Sequence, residues 1–336
     1  MSTESPTDSG IEPRGHEIAS AASYGRLFDS AIVDTETHTF VRCWPIETNP
    51  QMSAVDPFTR AEHSGKTLLA EMDRVGVEVA ILIGYDGYDF GDFMRRHGSI
   101  PADFMGGRAY TRAWAERYPD RFRYITTLYN PRGFDALTLL EEELTGRAAG
   151  MKAFPAYLRL LPDDPLLRAA FDLLRERDAA AVFGFEDISP PHTPSMIDCY
   201  ESLGRLAADY PDVPIQLNHG ANAKVDGPEF PILCELANAY PNILISTSFL
   251  GGTAMEWPDA WNYPFPEYQR KLRLYIESIH PAGLAFGSDW PWLEGVAKYP
   301  QFVQSVVNSG AFESEKTRRQ FLGENAIRHW GLSVST

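Results

Sequence analysis

A single-domain barrel of eight parallel strands, each followed by a helix, is the fold this sequence predicts, and three observations predict it. Short β-rich runs alternate with helical patterns over about 300 residues, the alternation that builds layered α/β folds. Most of the runs are near-continuous apolar stretches, as expected for parallel strands covered on both faces. Residue types suited to acid–base or metal chemistry recur where the runs end, which is where such a barrel carries its chemistry. A doubly wound open sheet shares the first two observations. It is the weaker reading, because no Gly-rich turn of the dinucleotide or phosphate-binding type follows any run.

The predicted strands are 30–34 (SAIVD), 77–83 (VEVAILI), 122–128 (FRYITTL), 149–154 (AGMKAF), 180–186 (AAVFGFE), 213–218 (VPIQLN), 242–248 (NILISTS) and 283–287 (GLAFG). The clearest helix is 163–177, with an acidic cap, Pro165 in the first turn and Leu166, Leu167, Ala170, Phe171 and Leu174 at helical spacing. Residues 66–75 place Leu68, Leu69, Met72 and Val75 on one stripe, and 195–209 do the same with Met196, Cys199, Tyr200, Leu203 and Leu206. Residues 1–27 read as a polar, flexible tail ahead of one domain over 28–336. The long connections 85–107 and 249–267 are rich in glycine and aromatic residues and are expected as loops over the C-terminal face of the barrel.

A formal net charge of −16 argues against nucleic acid or an anionic membrane as partner and leaves a small-molecule substrate. The three cysteines, Cys43, Cys199 and Cys234, form no CxxC pair, and their odd number suits a reducing compartment. The opening MSTESPTDSGIEPRG lacks the apolar core of a signal peptide, and no apolar run reaches membrane-spanning length. A cytoplasmic protein is the expectation.

The first predicted strand runs into "IVDTETHTF", in which Asp34, Glu36 and His38 share a parity and leave an extended strand on one face. Lys152 lies on the fourth strand, Glu186 and Asp187 end the fifth, His219 follows the sixth in "QLNHG", and Asp289 follows the eighth in "FGSDWPW". Each alone is also accounted for by a turn or a solvated strand end. Together they bring carboxylates, imidazoles and an amine to one rim, a donor set that suits a borderline divalent ion such as Zn²⁺ or Mn²⁺. Trp44, Trp257, Trp261, Tyr263, Phe265, Trp290 and Trp292 crowd the same connections and suit either a flat apolar substrate or loop packing. Arg42, Arg95 and Arg96 are the nearest candidates to receive a substrate carboxylate, and equally suit exposed loop charges.

These phrases resemble the amidohydrolase superfamily, in particular the amidohydrolase-related branch that includes aminocarboxymuconate semialdehyde decarboxylase and γ-resorcylate decarboxylase. "IVDTETH", "GMKAFP", "PIQLNHG", "PNILISTS", "GLAFGSDWPW" and "FLGENAIRHWGL" carry the resemblance, which covers about residues 30 to 333. It implies a TIM barrel with one divalent metal ion at its mouth. Glu36 and His38 stand at the first-strand ligand positions, in the Glu-x-His form of the γ-resorcylate decarboxylase group. Asp289 stands at the eighth-strand ligand position, where it also handles a proton, and His219 at the position of an acid–base histidine. The branch is often dimeric, so a homodimer is expected. Lys152 is expected to neutralise Glu186 or an acidic substrate rather than to bridge two metals.

One departure stands out. The family's metal-binding histidine at the end of strand 5 is missing from "AAVFGFEDISPPH". Glu186 as a substitute ligand, His192 reaching back from the loop, and loss of the metal are three open outcomes. Three functions follow: non-oxidative decarboxylation of a small aromatic or unsaturated acid, metal-dependent hydrolysis of an amide, ester or lactone, and a metal-free barrel that catalyses or binds. The resemblance favours decarboxylation.

Overall fold

The computed structural model describes residues 27–40, 63–84, 107–128, 131–133, 135–146, 148–185, 193–248, 250, 263–295 and 297–334. Eight parallel strands follow one another around the sheet in chain order: β1 (Ile32–Thr37), β2 (Val77–Ile83), β3 (Phe122–Leu128), β4 (Gly150–Ala153), β5 (Ala180–Phe183), β6 (Ile215–Leu217), β7 (Ile243–Ser246) and β8 (Leu284–Ala285). Backbone contacts bring the last strand against the first. Thr35 N–H donates to Phe286 O at 3.1 Å, Asp289 N–H to Glu36 O at 2.8 Å, and His38 N–H to Trp290 O at 2.6 Å. The result is the (β/α)8 barrel the sequence predicts.

One main helix follows each strand: α1 (Gly65–Val75), α2 (Gly107–Arg117), α3 (Ala136–Thr145), α4 (Pro165–Glu176), α5 (Met196–Asp209), α6 (Glu229–Ala239), α7 (Pro266–Ser278) and α8 (Tyr299–Val307). Their ends are set by local chemistry. Ser64 caps α1 by accepting from Thr67 N–H, and Gly76, at φ 76°, ends it. Asp164 accepts from Leu166 N–H ahead of Pro165 on α4, and Ser195 and Asp198 form a capping box on α5. The predicted stripes are the buried ones, with Leu69, Leu166 and Met196 only partly covered at their edges. A final segment, α9 (Glu315–Arg319), passes through a π-helical turn into α10 (Asn325–Trp330).

Two apolar layers result. The larger lies between strands and helices, and a small one fills the barrel, where Val33, Val79, Leu244 and Ala285 meet Ala326 and Leu332 from α10 and the residues after it. No helix among the described residues is long and apolar enough to cross a membrane. The expected tail falls, apart from Leu27, outside the described residues, as do Arg42, Cys43, Trp44, Arg95, Arg96, Glu186, Asp187, His192, Trp257 and Trp261.

β1 departs from the expected alternation. Its pairing with β2 runs Asp34↔Ala80 and then Thr37↔Leu82, so three steps on β1 face two on β2. That extra residue is a bulge, which breaks the period of two. Val33 lies inside the barrel, and Thr35 Oγ1 donates across it to Ser246 Oγ at 2.9 Å. Asp34 faces the other way: its carboxylate accepts from Ser288 N–H (2.9 Å), Ser288 Oγ (2.6 Å) and Tyr299 OH of α8 (3.0 Å). Glu36, past the bulge, turns inward. The single face expected for Asp34, Glu36 and His38 therefore divides, and Asp34 leaves the site.

Candidate active site

Glu36 is the centre of the rim. Its Oε1 accepts from Lys152 Nζ of β4 at 2.8 Å and from Asn218 Nδ2 just past β6, and its Oε2 accepts from Ser248 Oγ past β7. Glu36, His38 and Lys152 are all buried to 1% exposure or less. Burial by itself pushes the Glu36 carboxyl up, but the neighbouring His219, Lys152 and His38 outweigh it and hold Glu36 below the usual carboxylate range.

His38 and Asp289 form the second pair, with Nε2 and Oδ1 3.0 Å apart. The other ring nitrogen, Nδ1, faces the Ile83 carbonyl at 3.3 Å. A carbonyl only accepts, so the proton on Nδ1 is fixed and Nε2 turns to Asp289. Burial, followed by the charge on Glu36, raises the Asp289 carboxyl above its ordinary value, against the opposing pull of His38 and His219.

His219 lies behind β6. Its Nδ1 is 3.3 Å from Ser248 O and 3.2 Å from Ser248 Oγ, and its Nε2 is 3.6 Å from Glu36 Oε1. An extended strand sends successive residues to opposite faces, yet Asn218 and His219 both reach Glu36. The cause is a left-handed turn: His219, Gly220, Ala221 and Asn222 have φ of 57°, 59°, 54° and 57°. Three of those residues carry a Cβ and pay for that conformation. The turn is clamped from outside by two buried tyrosines, Tyr275 OH on Gly220 O and Tyr200 OH on Ala221 O, each at 2.6 Å. Gly220 is required there, because a Cβ would lie 2.6 Å from the Tyr275 hydroxyl. Asp289 is likewise left-handed, at φ 59°.

Among the described residues, Glu36, His219 and Asp289 form a group whose ligand atoms all lie within 4.8 Å of one another. His219, expected as an acid–base residue, thus joins the donor group, while His38 reaches it through Asp289. The donors fit a divalent ion. Both imidazoles spend Nδ1 on the Ile83 and Ser248 carbonyls and turn Nε2 toward carboxylate oxygens, the backbone-anchored orientation of metal-ligating histidines. The 3.6 Å separation of His219 Nε2 from Glu36 Oε1 would be satisfied by a cation between them, whereas the closer His38–Asp289 contact is a hydrogen bond. Two carboxylates and imidazole nitrogen are a borderline-to-hard set, suited to Zn²⁺ or Mn²⁺.

Strand 5 contributes differently from the family pattern. Phe183 and Phe185 pack on the helix side, with ring centroids 6.0 Å apart, and Phe185 meets Tyr200 of α5 at 5.7 Å. Alternation then turns Val182 and Gly184 inward, and neither side chain can ligate. Trp290 is 1% exposed and packs edge-on against His63 at 5.5 Å. Trp292 meets Phe40 at 5.4 Å, Phe265 is buried, and Tyr263 is exposed.

Asn218, Ser248 and Gln216 carry uncharged amides and a hydroxyl and do not stand out at strand ends in the sequence. Gln216 Nε2 donates to Asn218 Oδ1 (2.8 Å) and Thr35 O (3.0 Å), while its Oε1 accepts from Trp330 Nε1 (2.9 Å). The signal was present: a glutamine inside a strand of a barrel core must find partners.

A barrel with this donor group at its mouth defines a class, the barrel enzymes that act on small molecules through rim residues. The family model described as Amidohydrolase matches residues 102–332, so the chain belongs to the amidohydrolase family and is an enzyme of the lyase or hydrolase type. No curated protein sequence matches it. Among solved structures, it is similar to an amidohydrolase from Burkholderia multivorans with bound zinc (18% identity, 90% of this chain and 100% of that one, TM-score 0.63). A dihydroxybenzoic acid decarboxylase from Polaromonas sp. JS666, with bound manganese and the inhibitor 2-nitroresorcinol, matches at 16% identity over 91% and 98% of the two chains, with TM-score 0.58. A probable 2-pyrone-4,6-dicarboxylic acid hydrolase from Acinetobacter baumannii, with citric acid bound, matches at 13% over 89% and 99%, also with TM-score 0.58. These likenesses show the fold.

Proposed function

We propose that this protein is a divalent-metal-dependent carboxy-lyase that removes CO₂ from a small aromatic or unsaturated carboxylic acid. The observation that carries the proposal is the His38–Asp289 pair. With Nδ1 of His38 committed to the Ile83 carbonyl, the 3.0 Å contact between Nε2 and Asp289 Oδ1 requires one proton, held by the pair. A stored proton suits a reaction that begins by protonating carbon; hydrolysis begins with a base.

Glu36, His219 and Asp289, with His38 beside them, would hold the ion. When bound, Zn²⁺ or Mn²⁺ supplies Lewis-acid attraction for the carboxylate and an adjacent oxygen of the substrate. Asp289 delivers the proton to the carbon bearing the carboxylate, and His38 steadies the carboxyl group through the transfer. The electron pair of the carbon–carboxyl bond is left on the ring or alkene as CO₂ departs. The π pair of the ring or alkene forms the new C–H bond and the carbon–carboxyl pair then replaces it, so the sum is acid anion plus proton giving CO₂ and the decarboxylated product. Before the ion binds, Lys152 keeps Glu36 ionised, and Ser248 orients both Glu36 and His219.

The family's zinc and manganese neighbours, and the decarboxylase among them, support this reading. The test is CO₂ release from a panel of hydroxybenzoates set against cleavage of amides and lactones, each with Mn²⁺ or Zn²⁺. CO₂ release that disappears in Asp289→Asn is the expected result. Lactone or amide turnover without CO₂ release from any acid would overturn the proposal.

A further inference from the structure

Glu36 is the proposed metal carboxylate, yet the oxygen it turns toward His219 already holds a cation. Oε1 lies 3.6 Å from His219 Nε2 and also accepts from Lys152 Nζ at 2.8 Å and from Asn218 Nδ2. A carboxylate oxygen offers about two good acceptor sites, so these two donors fill Oε1. Lys152 comes from β4, across the barrel from β1, and its ammonium is buried beside a fully buried carboxylate. A divalent ion and this ammonium would therefore meet at the same atom.

A second resting place is also present. Lys152 Nζ lies 4.8 Å from the centroid of the Phe154 ring, two residues along its own chain. An aromatic face attracts an ammonium most when both are desolvated, as both are here. On leaving Glu36 the ammonium keeps the Phe154 face, which offsets part of the contact it loses.

We propose that Lys152 is a resident cation that competes with the divalent ion for Glu36, so that metal entry moves the ammonium off Oε1 and toward the Phe154 face. The inference rests on the metal reading of the site given above. It assigns to the fourth-strand lysine control over metal affinity, and it gives the site a filled, charge-balanced form before metal arrives. A lysine that merely braced the site would strengthen metal binding, and one that competes weakens it.

The test is calorimetric titration of purified wild-type protein and Lys152→Met with Zn²⁺ and with Mn²⁺, alongside the thermal midpoint of each with and without metal. The charge-assisted contact removed corresponds to metal binding about 10-fold to 100-fold tighter in the variant. The variant's midpoint should also rise more on metal addition than that of the wild type. Equal or weaker binding in Lys152→Met overturns the competition and leaves the metal reading standing. Binding by neither protein overturns both.

Should Lys152→Met fail to fold, a crystal structure of the zinc-loaded wild type decides. Zinc on Glu36 with Nζ withdrawn beyond 4 Å of Oε1, the usual limit of a direct ion pair, supports the exchange. Zinc on Glu36 with Nζ still in contact overturns it. No zinc at Glu36 overturns the metal reading as well.

Discussion

Asp34 and Glu36 are both fully buried carboxylates, two residues apart on one strand, and they are driven in opposite directions. Burial raises Asp34 to about 7, and the hydrogen bonds from Ser288, Glu36 N–H and Tyr299 offset only part of that rise, because all come from neutral donors. Burial pushes Glu36 up too, but His219, Lys152 and His38 reverse it. Depth is the same for both. The charge of the partners decides which carboxylate is ionised, and the β1 bulge decides which partners each one meets.

Glu36→Gln should break the comparison most severely. It removes the ionised carboxylate from the rim and leaves the Lys152 ammonium buried without it. Loss of one partner of a buried pair costs about 3–5 kcal/mol. Metal affinity should fall on the order of 100-fold or more, beyond the 10-fold to 100-fold typical of residues that only support a ligand. Denaturant unfolding and calorimetric metal titration would register these losses; unchanged metal binding would remove Glu36 from the ligand set.

Asp34→Asn sharpens the other side. Between about pH 4 and pH 7 folded Asp34 keeps a proton that the unfolded chain has released, so its contribution to stability is greatest below pH 4 and is lost as pH rises through 7. The shift from 3.8 to about 7 corresponds to roughly 4 kcal/mol across that window. The stability of the variant relative to wild type should therefore climb from pH 4 to pH 7 and level off above. Parallel urea-denaturation profiles of the two proteins would contradict the raised value.

The smallest effect is expected from Tyr275→Phe, which leaves the Gly220 carbonyl without its clamp. A buried acceptor left unsatisfied costs about 1–3 kcal/mol. The left-handed turn should loosen with it, so turnover should drop more than the thermal midpoint suggests. Tyr200→Phe should act similarly on Ala221.

Much of this was legible from residue patterns alone. β2 and β3 match the expected ranges to the residue, since VEVAILI is bounded by Gly76 and Gly84 and FRYITTL is rich in aromatic and β-branched residues. β1 extends three residues past its predicted end because Asp34, Glu36 and Thr37 are polar yet have partners that only the closed barrel supplies. Strand 5 is shorter than expected, since Phe185 packs outward on Tyr200. Glu36, His38, Lys152, His219 and Asp289 were visible as charged or imidazole residues at strand ends. Asn218 and Ser248 were not, because amides and hydroxyls at strand ends are common and their value here comes from Glu36. The bulge on β1 breaks the shared parity of Asp34 and Glu36, and no residue of IVDTETHTF marks it in the sequence.

The contact between Trp330 and Gln216 has a consequence for how the protein is made. Gln216 passes the restraint to Asn218, and Asn218 to Glu36, so the rim is tied through the barrel to the helix that follows all eight strands. On the ribosome every rim residue emerges before Trp330 does. Until α10 has packed, Gln216 Oε1 would lack its Trp330 donor, and the amide that restrains Asn218 would be held from its Nε2 side alone, by Thr35 O and Asn218 Oδ1. The rim around Glu36 would thus be braced from both sides of Gln216 only once α10 has docked against the barrel.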